Sequence, residues 1–295
     1  MRIRQVNVET VGTIPLQEVS GLALARQADR SVVIAVGDRT TTVAWSLADE
    51  GVAGLRWTDE ALPAGTIAGK GASQLEAVAA DGGGAVLLVQ EWPNRALLLD
   101  IATRRVTGSY DLVVPASAGR LAKSWLDPDC SHTEGVLLLR EGHLLVAKEK
   151  DPVALLEFGP AGSAPAGFTQ DRWLRDGEAW SAPGSTLELL AAWYPDRTLA
   201  KACPDFSDLS QAPGGQIAVL SDQGQSVALL VGQAPATDPM AGELVAETGW
   251  QLEGASGKPE GLVVLPDGEV LVAVDRKGVK INLYEVPASV WDAPA

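Results

Sequence analysis

The sequence predicts an all-β fold, a β-propeller, and three observations carry that prediction. A hairpin pattern recurs five times, a third apolar strand follows each copy, and the copies begin 53 to 73 residues apart. Such intervals suit four-stranded propeller blades with loops of varying length.

The hairpins are VSGLALARQADRSVVIAVGD (19–38), LEAVAADGGGAVLLVQE (75–91), TEGVLLLREGHLLVAKE (133–149), FSDLSQAPGGQIAVLSD (206–222) and PEGLVVLPDGEVLVAVD (259–275). Each has Ser or Glu at its second position, a mostly apolar run and a turn. A second run with β-branched residues then ends at a carboxylate. Gly in the turns DGGG, REG, PGG and PDG supplies the positive φ that a tight hairpin needs. Third strands follow at TTVAWSL, RALLLDI, VALLEFG, SVALLVG and KINLYEV, and fourth strands at GLRWTDEAL, VTGSYDLVV, TLELLAAWY and ELVAETGWQ.

The fifth copy runs out of chain after its third strand, so the leading QVNVETVGTI is expected to supply the missing partner and close the ring. Five blades result, with six still allowed by the 73-residue interval between Glu134 and Ser207. Helix signals are poor, and LELLAAW suits a strand as well as a helix. With no linker or composition shift, residues 1–295 read as a single domain.

Charge narrows the partners. With 38 Asp and Glu against 23 Lys and Arg, the formal charge is −15. That field repels phosphate backbones and anionic lipid, so neither nucleic acid nor membrane is expected as a partner. No apolar run reaches the ~20 residues of a membrane span, and the N-terminus lacks the apolar stretch of a secretory signal. A cytoplasmic location and a small-molecule ligand or substrate are the resulting expectations; the oligomeric state stays open. There is no GxSxG elbow, P-loop or GxGxxG.

Propeller geometry sorts the loops onto two faces. With the first strand (a) lining the channel, its start and the end of the second (b) share one face, here the top. The b–c and d–a connections lie there too. Glu76, Glu134 and Glu260 therefore stand at the channel rim, with Ser20 and Ser207 at the matching positions. One strand further out stand Asp38, Glu91, Glu149, Asp222 and Asp275.

Clustered carboxylates repel unless a cation or hydrogen bonds compensate, and hard oxygen donors select Ca²⁺ or Mg²⁺ over zinc. Glu76, Glu134, Glu260 and Glu149 are the candidate metal ligands. Asp38, Glu91, Asp222 and Asp275 are ligand-binding candidates whose other role is to cap strands. Arg39, Lys148, Lys150 and Arg276 adjoin the outer carboxylates as counter-charges, and Ser20 and Ser207 mark where the ring would admit a ligand.

Among the nine tryptophans, Trp45, Trp57, Trp193 and Trp250 fall in expected strands. Trp92 and Trp125 fall in top-face loops, where flat rings stack on apolar groups or cations. Trp173 and Trp180 lie in a bottom-face insertion, Ala161–Ser185, that covers an edge or meets a partner. Cys130 and Cys203 each precede a rim residue by four positions and read as free thiols, with a disulfide or a zinc site including His132 as alternatives. His132 is the candidate general base, with Lys148 beside the acidic ring as a second catalytic candidate; a Ser131 or Ser207 set with His132 and Asp205 is a further arrangement.

The pieces SGL…VGD, EGV…VAKEKDP, SDL…VLSD and PEGL…VAVD resemble the SdiA-regulated (YjiK-like) β-propeller family. That family is similar in turn to the esterase-like domain of some phytases and to gluconolactonase-type propellers. The resemblance spans about residues 13–286, and VAKEKDP (146–152) is its most specific part. It implies a divalent cation, calcium first, near the channel mouth, and metal-dependent hydrolysis of an ester, lactone or phosphoester. A non-catalytic ligand-binding or interaction propeller is the alternative. The Glu, Asn and Asp metal set of gluconolactonase-type propellers is a point of departure, since the only asparagines here are Asn7, Asn94 and Asn282.

Overall fold

A computed structural model describes residues 1–27, 30–63, 66–67, 74–175, 177–276 and 281–291. It contains five antiparallel sets of four strands, in the order a, b, c, d from the channel outward. Blade 1 comprises Val19–Gln27, Arg30–Gly37, Thr42–Leu47 and Thr58–Ala61. Blade 2 comprises Leu75–Ala80, Ala85–Gln90, Arg95–Asp100 and Arg105–Val113. Blade 3 comprises Thr133–Leu138, Leu144–Lys148, Ala154–Pro160 and Thr186–Pro195. Blade 4 comprises Asp208–Gln211, Ile217–Ser221, Ser226–Leu230 and Ala246–Glu253. Blade 5 comprises Lys258–Val264, Val270–Asp275 and Leu283–Val286, completed by Glu9–Gly12 from the N-terminus. Lys280, which opens the expected third strand of blade 5, lies outside the described residues.

Ring closure follows from packing. The five a strands pack against one another in cyclic order, blade 5 against blade 1. Each strand alternates its side chains between two faces, and five apolar clusters result, one between each pair of neighbouring blades. Val33 and Ala35 face blade 5, for example, while Val32, Ile34 and Val36 face blade 2. The 73-residue interval contains blade 3, the insertion and a short helix, α1 being Arg120–Trp125 and α2 Arg197–Ala202. Among the described residues it holds no sixth blade.

Two features lay outside the sequence reading. Arg2–Asn7 adds to blade 4 as a fifth, parallel strand, so the N-terminal segment straddles blades 4 and 5. The d strands of blades 2 and 3 also pair in parallel over Asp111–Val113 and Thr186–Glu188, joining those blades into one sheet.

A bulge opens every a strand. The register slips between Val19 and Gly21, Leu75 and Ala77, Thr133 and Gly135, and Pro259 and Gly261. In blade 4, Ser207 donates its amide to Leu220, which already stands opposite Asp208. The slipped residue is the rim residue in all five blades. A bulge carries one extra residue out of the ladder and re-aims its side chain. Below it the a strands converge so closely that a Cβ on Gly135 would stand 2.8 Å from the Leu209 nitrogen. Asp208 seals this neck. Fully buried, it accepts the amides of Leu209 (2.7 Å), Leu262 (2.7 Å) and Leu22 (3.3 Å), from its own blade and two others.

Candidate functional site: the acidic channel mouth

Hairpin ends and bulges bring the eight predicted carboxylates onto one face. Burial, and then the charges of Asp38, Glu91 and Glu260, push Glu76 well above the usual carboxylate range. Burial does the same to Glu134, followed by Glu76, Glu149, Glu91 and Glu260. Glu260 is raised to about 8, again by burial first, with Asp275 next and Lys258 opposing. Asp222 is raised by burial and by Asp205. Carboxylates from all five blades thus act on one another across the mouth.

Compensation is uneven. Lys150 pairs with Glu149, and Lys258, which sequence reading missed, stands 3.6 Å from Glu260. Arg39 bridges Glu18 (2.7 Å) and Asp38 (3.0 Å). Glu91 accepts the His132 amide at 3.0 Å. Glu134 makes no hydrogen bond or ion pair with a described residue. The donors suit a hard cation in chemistry, but no three Asp, Glu, His or Cys side chains among the described residues stand close enough to ligate one ion. Glu76, Glu134, Glu260 and Glu149 face a common space without closing a shell.

Several predicted site residues belong to the scaffold instead. Ser20 donates to the Leu75 carbonyl (2.9 Å), tying blade 1 to blade 2, and Ser207 accepts the Asp222 amide (2.9 Å). Neither marks an opening in the ring. Trp125 does not flank a ligand: α1 turns its ring into the core between blades 2 and 3, and its indole donates to Leu112. Lys148 is fully buried, its ammonium donating to the carbonyls of Ser131 (2.7 Å) and Lys150 (2.5 Å). Burial lowers it to about 8. That arrangement clamps a loop and leaves no face for a substrate.

His132 is buried between Trp92 and Trp125, its ring 5.8 and 5.7 Å from theirs, with Nε2 unpartnered among the described residues. Trp92 remains half-buried beside the acidic mouth. Arg276 is tied to Ile281 and Ser256. The serine-based set does not assemble, because Asp205 is engaged by Ser221 and the Gln223 amide. Cys130 and Cys203 are free, and burial pushes Cys203 up to about 11. Asn94 and Asn282 are buried and bonded to Trp125 and Ile14 main chain, so neither reaches the mouth. Asp208 and Lys258 escaped prediction because no other copy of the repeat carries the same residue type at their positions.

No protein-family model matches the chain, and no curated protein matches it in sequence. Solved structures do match. Regucalcin, a calcium-binding protein from Agrobacterium tumefaciens, superposes with a TM-score of 0.50 at 11% identity, covering 97% of this chain and 95% of that one. The chain is a β-propeller. Streptogramin B lyase (TM-score 0.47, 13% identity, 95% and 97% covered) shows the same broad likeness. So does the PQQ-bound aldose sugar dehydrogenase of Streptomyces coelicolor (0.46, 12%, 94% and 96%). At such identities the likeness concerns the fold. Among the described residues no helix is long and apolar enough to cross a membrane.

Proposed function

We propose that this propeller binds a divalent cation, calcium by donor type, at the acidic mouth, and that binding rather than catalysis is its primary activity. Glu134 carries the reading: a partly buried carboxylate facing four others, with no ion pair among the described residues and only the more distant charge of Lys150 opposing them. Such an arrangement is held at neutral pH by protons or by a cation. Carboxylate-only donors favour Ca²⁺, which tolerates irregular shells completed by water. Regucalcin, of the same fold, is a calcium-binding protein. Kinship with the SdiA-regulated type is part of this proposal and rests on the VAKEKDP segment, where Lys148, Glu149 and Lys150 order the loop beside the mouth.

Glu76, Glu134, Glu260 and Glu149 would hold the ion, with Asp38, Glu91, Asp222 and Asp275 setting the surrounding negative field. When bound, a divalent cation polarises ester, lactone or phosphoester oxygens and lowers the pKa of water. The chain's own residues add little to such chemistry, because His132 is enclosed by two indoles and Lys148 is spent on carbonyls. A cationic small molecule resting on Trp92 is the second reading, favoured by the half-buried indole beside the carboxylates. Elemental analysis of the purified protein, with melting in calcium and in chelator, tests the proposal. Co-purifying calcium and a higher Tm in calcium are expected; no metal and an unchanged Tm would remove it.

A further inference from the structure

Below the neck, the channel widens into a cavity of about 440 Å³ on the opposite side of the Asp208 seal from the carboxylates. Its floor is the insertion. Glu157, fully buried, accepts the amides of Ala166 (2.8 Å) and Gly167 (3.0 Å) and bonds His143 (2.6 Å). Asp81 accepts the Trp180 amide (2.8 Å), and the Trp180 indole donates to His143 (3.0 Å). Two buried carboxylates thus fasten the loop that brings Trp173, Leu174 and Arg175 to the lower mouth.

The wall above that floor is main chain. Asp81, Leu139, Ala212 and Leu265 direct their amides outward, to the b strands of their own hairpins. Alternation along a strand then directs the preceding residue inward, both N–H and C=O. Val264 does donate inward, to Ser210 (3.0 Å), as do Leu22 and Leu262 to Asp208. Six inward amides have no partner among the described residues: Leu24, Val78, Ala80, Val136, Leu138 and Gln211. Blades 2 and 3 each contribute two at the two-residue spacing of a strand edge. At the mouth, Arg175 is exposed; Glu178 accepts its amide (3.0 Å) and feels its charge, and the guanidinium forms no closer ion pair with a described residue.

We infer that this lower cavity is a second binding site, for the carboxyl-terminal end of an extended peptide. A peptide backbone repeats donors and acceptors at the spacing of the unpaired edges, as in strand addition. Its small apolar side chains meet the aliphatic wall, and its terminal carboxylate meets Arg175. A lone inorganic anion would face carbonyls as well as amides. A fatty chain would leave those amides unbonded.

The test is affinity selection on the full chain from a pool of N-acetylated tetrapeptides with free carboxylates, at about 1 mM total peptide, the weak end of specific binding. Enriched peptides are expected to lose roughly tenfold in affinity or more when remade as C-terminal amides or with N-methylated backbones. Arg175→Ala should cause a similar loss with Tm unchanged. Bound peptide should also slow hydrogen exchange at Val78, Ala80, Val136 and Leu138. Failure to enrich any peptide, equal binding of the amides, or retention of medium-chain fatty carboxylates in place of peptides would overturn the inference. Calcium and chelator controls separate this site from the mouth, because its binding should be the same in both.

Discussion

Glu76 and Asp38, carboxyl groups on neighbouring blades, act on each other at the channel mouth, where the charge of Asp38 adds to burial in raising Glu76. Like charges so placed favour the protonated form of the raised group unless a cation compensates. The rise of Glu76 therefore marks a mouth short of positive charge. Arg39, Lys150 and Lys258 pair with Asp38, Glu149 and Glu260, while Glu76 and Glu134 have no ion pair among the described residues.

The pH dependence follows directly. Glu260 titrates near 8 in the folded chain, against 4.5 for an ordinary glutamate. The folded state therefore holds a proton that the unfolded chain releases. Stability from this group is complete below the unfolded value and is lost as pH rises towards 8. Thermal melting of metal-free protein should show Tm falling between about pH 5 and 9, by the equivalent of a few kcal/mol. Glu260→Gln should flatten the slope. A Tm independent of pH would contradict the electrostatics described here.

Glu134→Gln removes a rim carboxylate that has no ion pair among the described residues. Metal-free variant should melt a few degrees higher than the parent at pH 8, because repulsion from Glu76, Glu149, Glu91 and Glu260 is relieved; about 1–2 kcal/mol is the expected scale. Differential scanning calorimetry in chelator reads the change.

Asp208→Ala should be far more damaging than its distance from any ligand suggests. Three buried amides, on blades 1, 4 and 5, lose their acceptor at once. Leaving them unpaired costs about 3 kcal/mol or more in total. Urea titration should show a lower midpoint, with hydrogen exchange speeding at Leu22 and Leu262.

Glu157→Ala should loosen the floor before it unfolds the ring. The amides of Ala166 and Gly167 and the His143 ring share that one carboxylate. Limited proteolysis should then cut within residues 161–185 while the remaining blades stay resistant. Cleavage no faster than in the parent would show that other contacts suffice to hold the insertion.

The hairpins and the N-terminal closure were legible in sequence because they depend on local pattern: alternation, Gly turns and a strand missing at one end. The rim was legible because the bulged residue repeats. What escaped depends on distant partners. Ser20 and Leu75 lie 55 residues apart, and Asp208 bonds Leu22 across 186. Nothing near Trp125 distinguishes a ligand-facing indole from one that α1 buries. Lys148 looked available because charged residues are seldom fully buried; two loop carbonyls make its burial tolerable. The insertion read as a loop of uncertain use, since its anchors, Asp81 and Glu157, lie outside it.

The proposed cation sits at the mouth, held by Glu134 and its neighbours. Isothermal titration of calcium into chelator-treated protein, beside Glu134→Gln, tests it most directly. One saturable site per chain, weakened roughly tenfold or more by the substitution, is the predicted result. No heat of binding, or equal affinity in the two proteins, would contradict it.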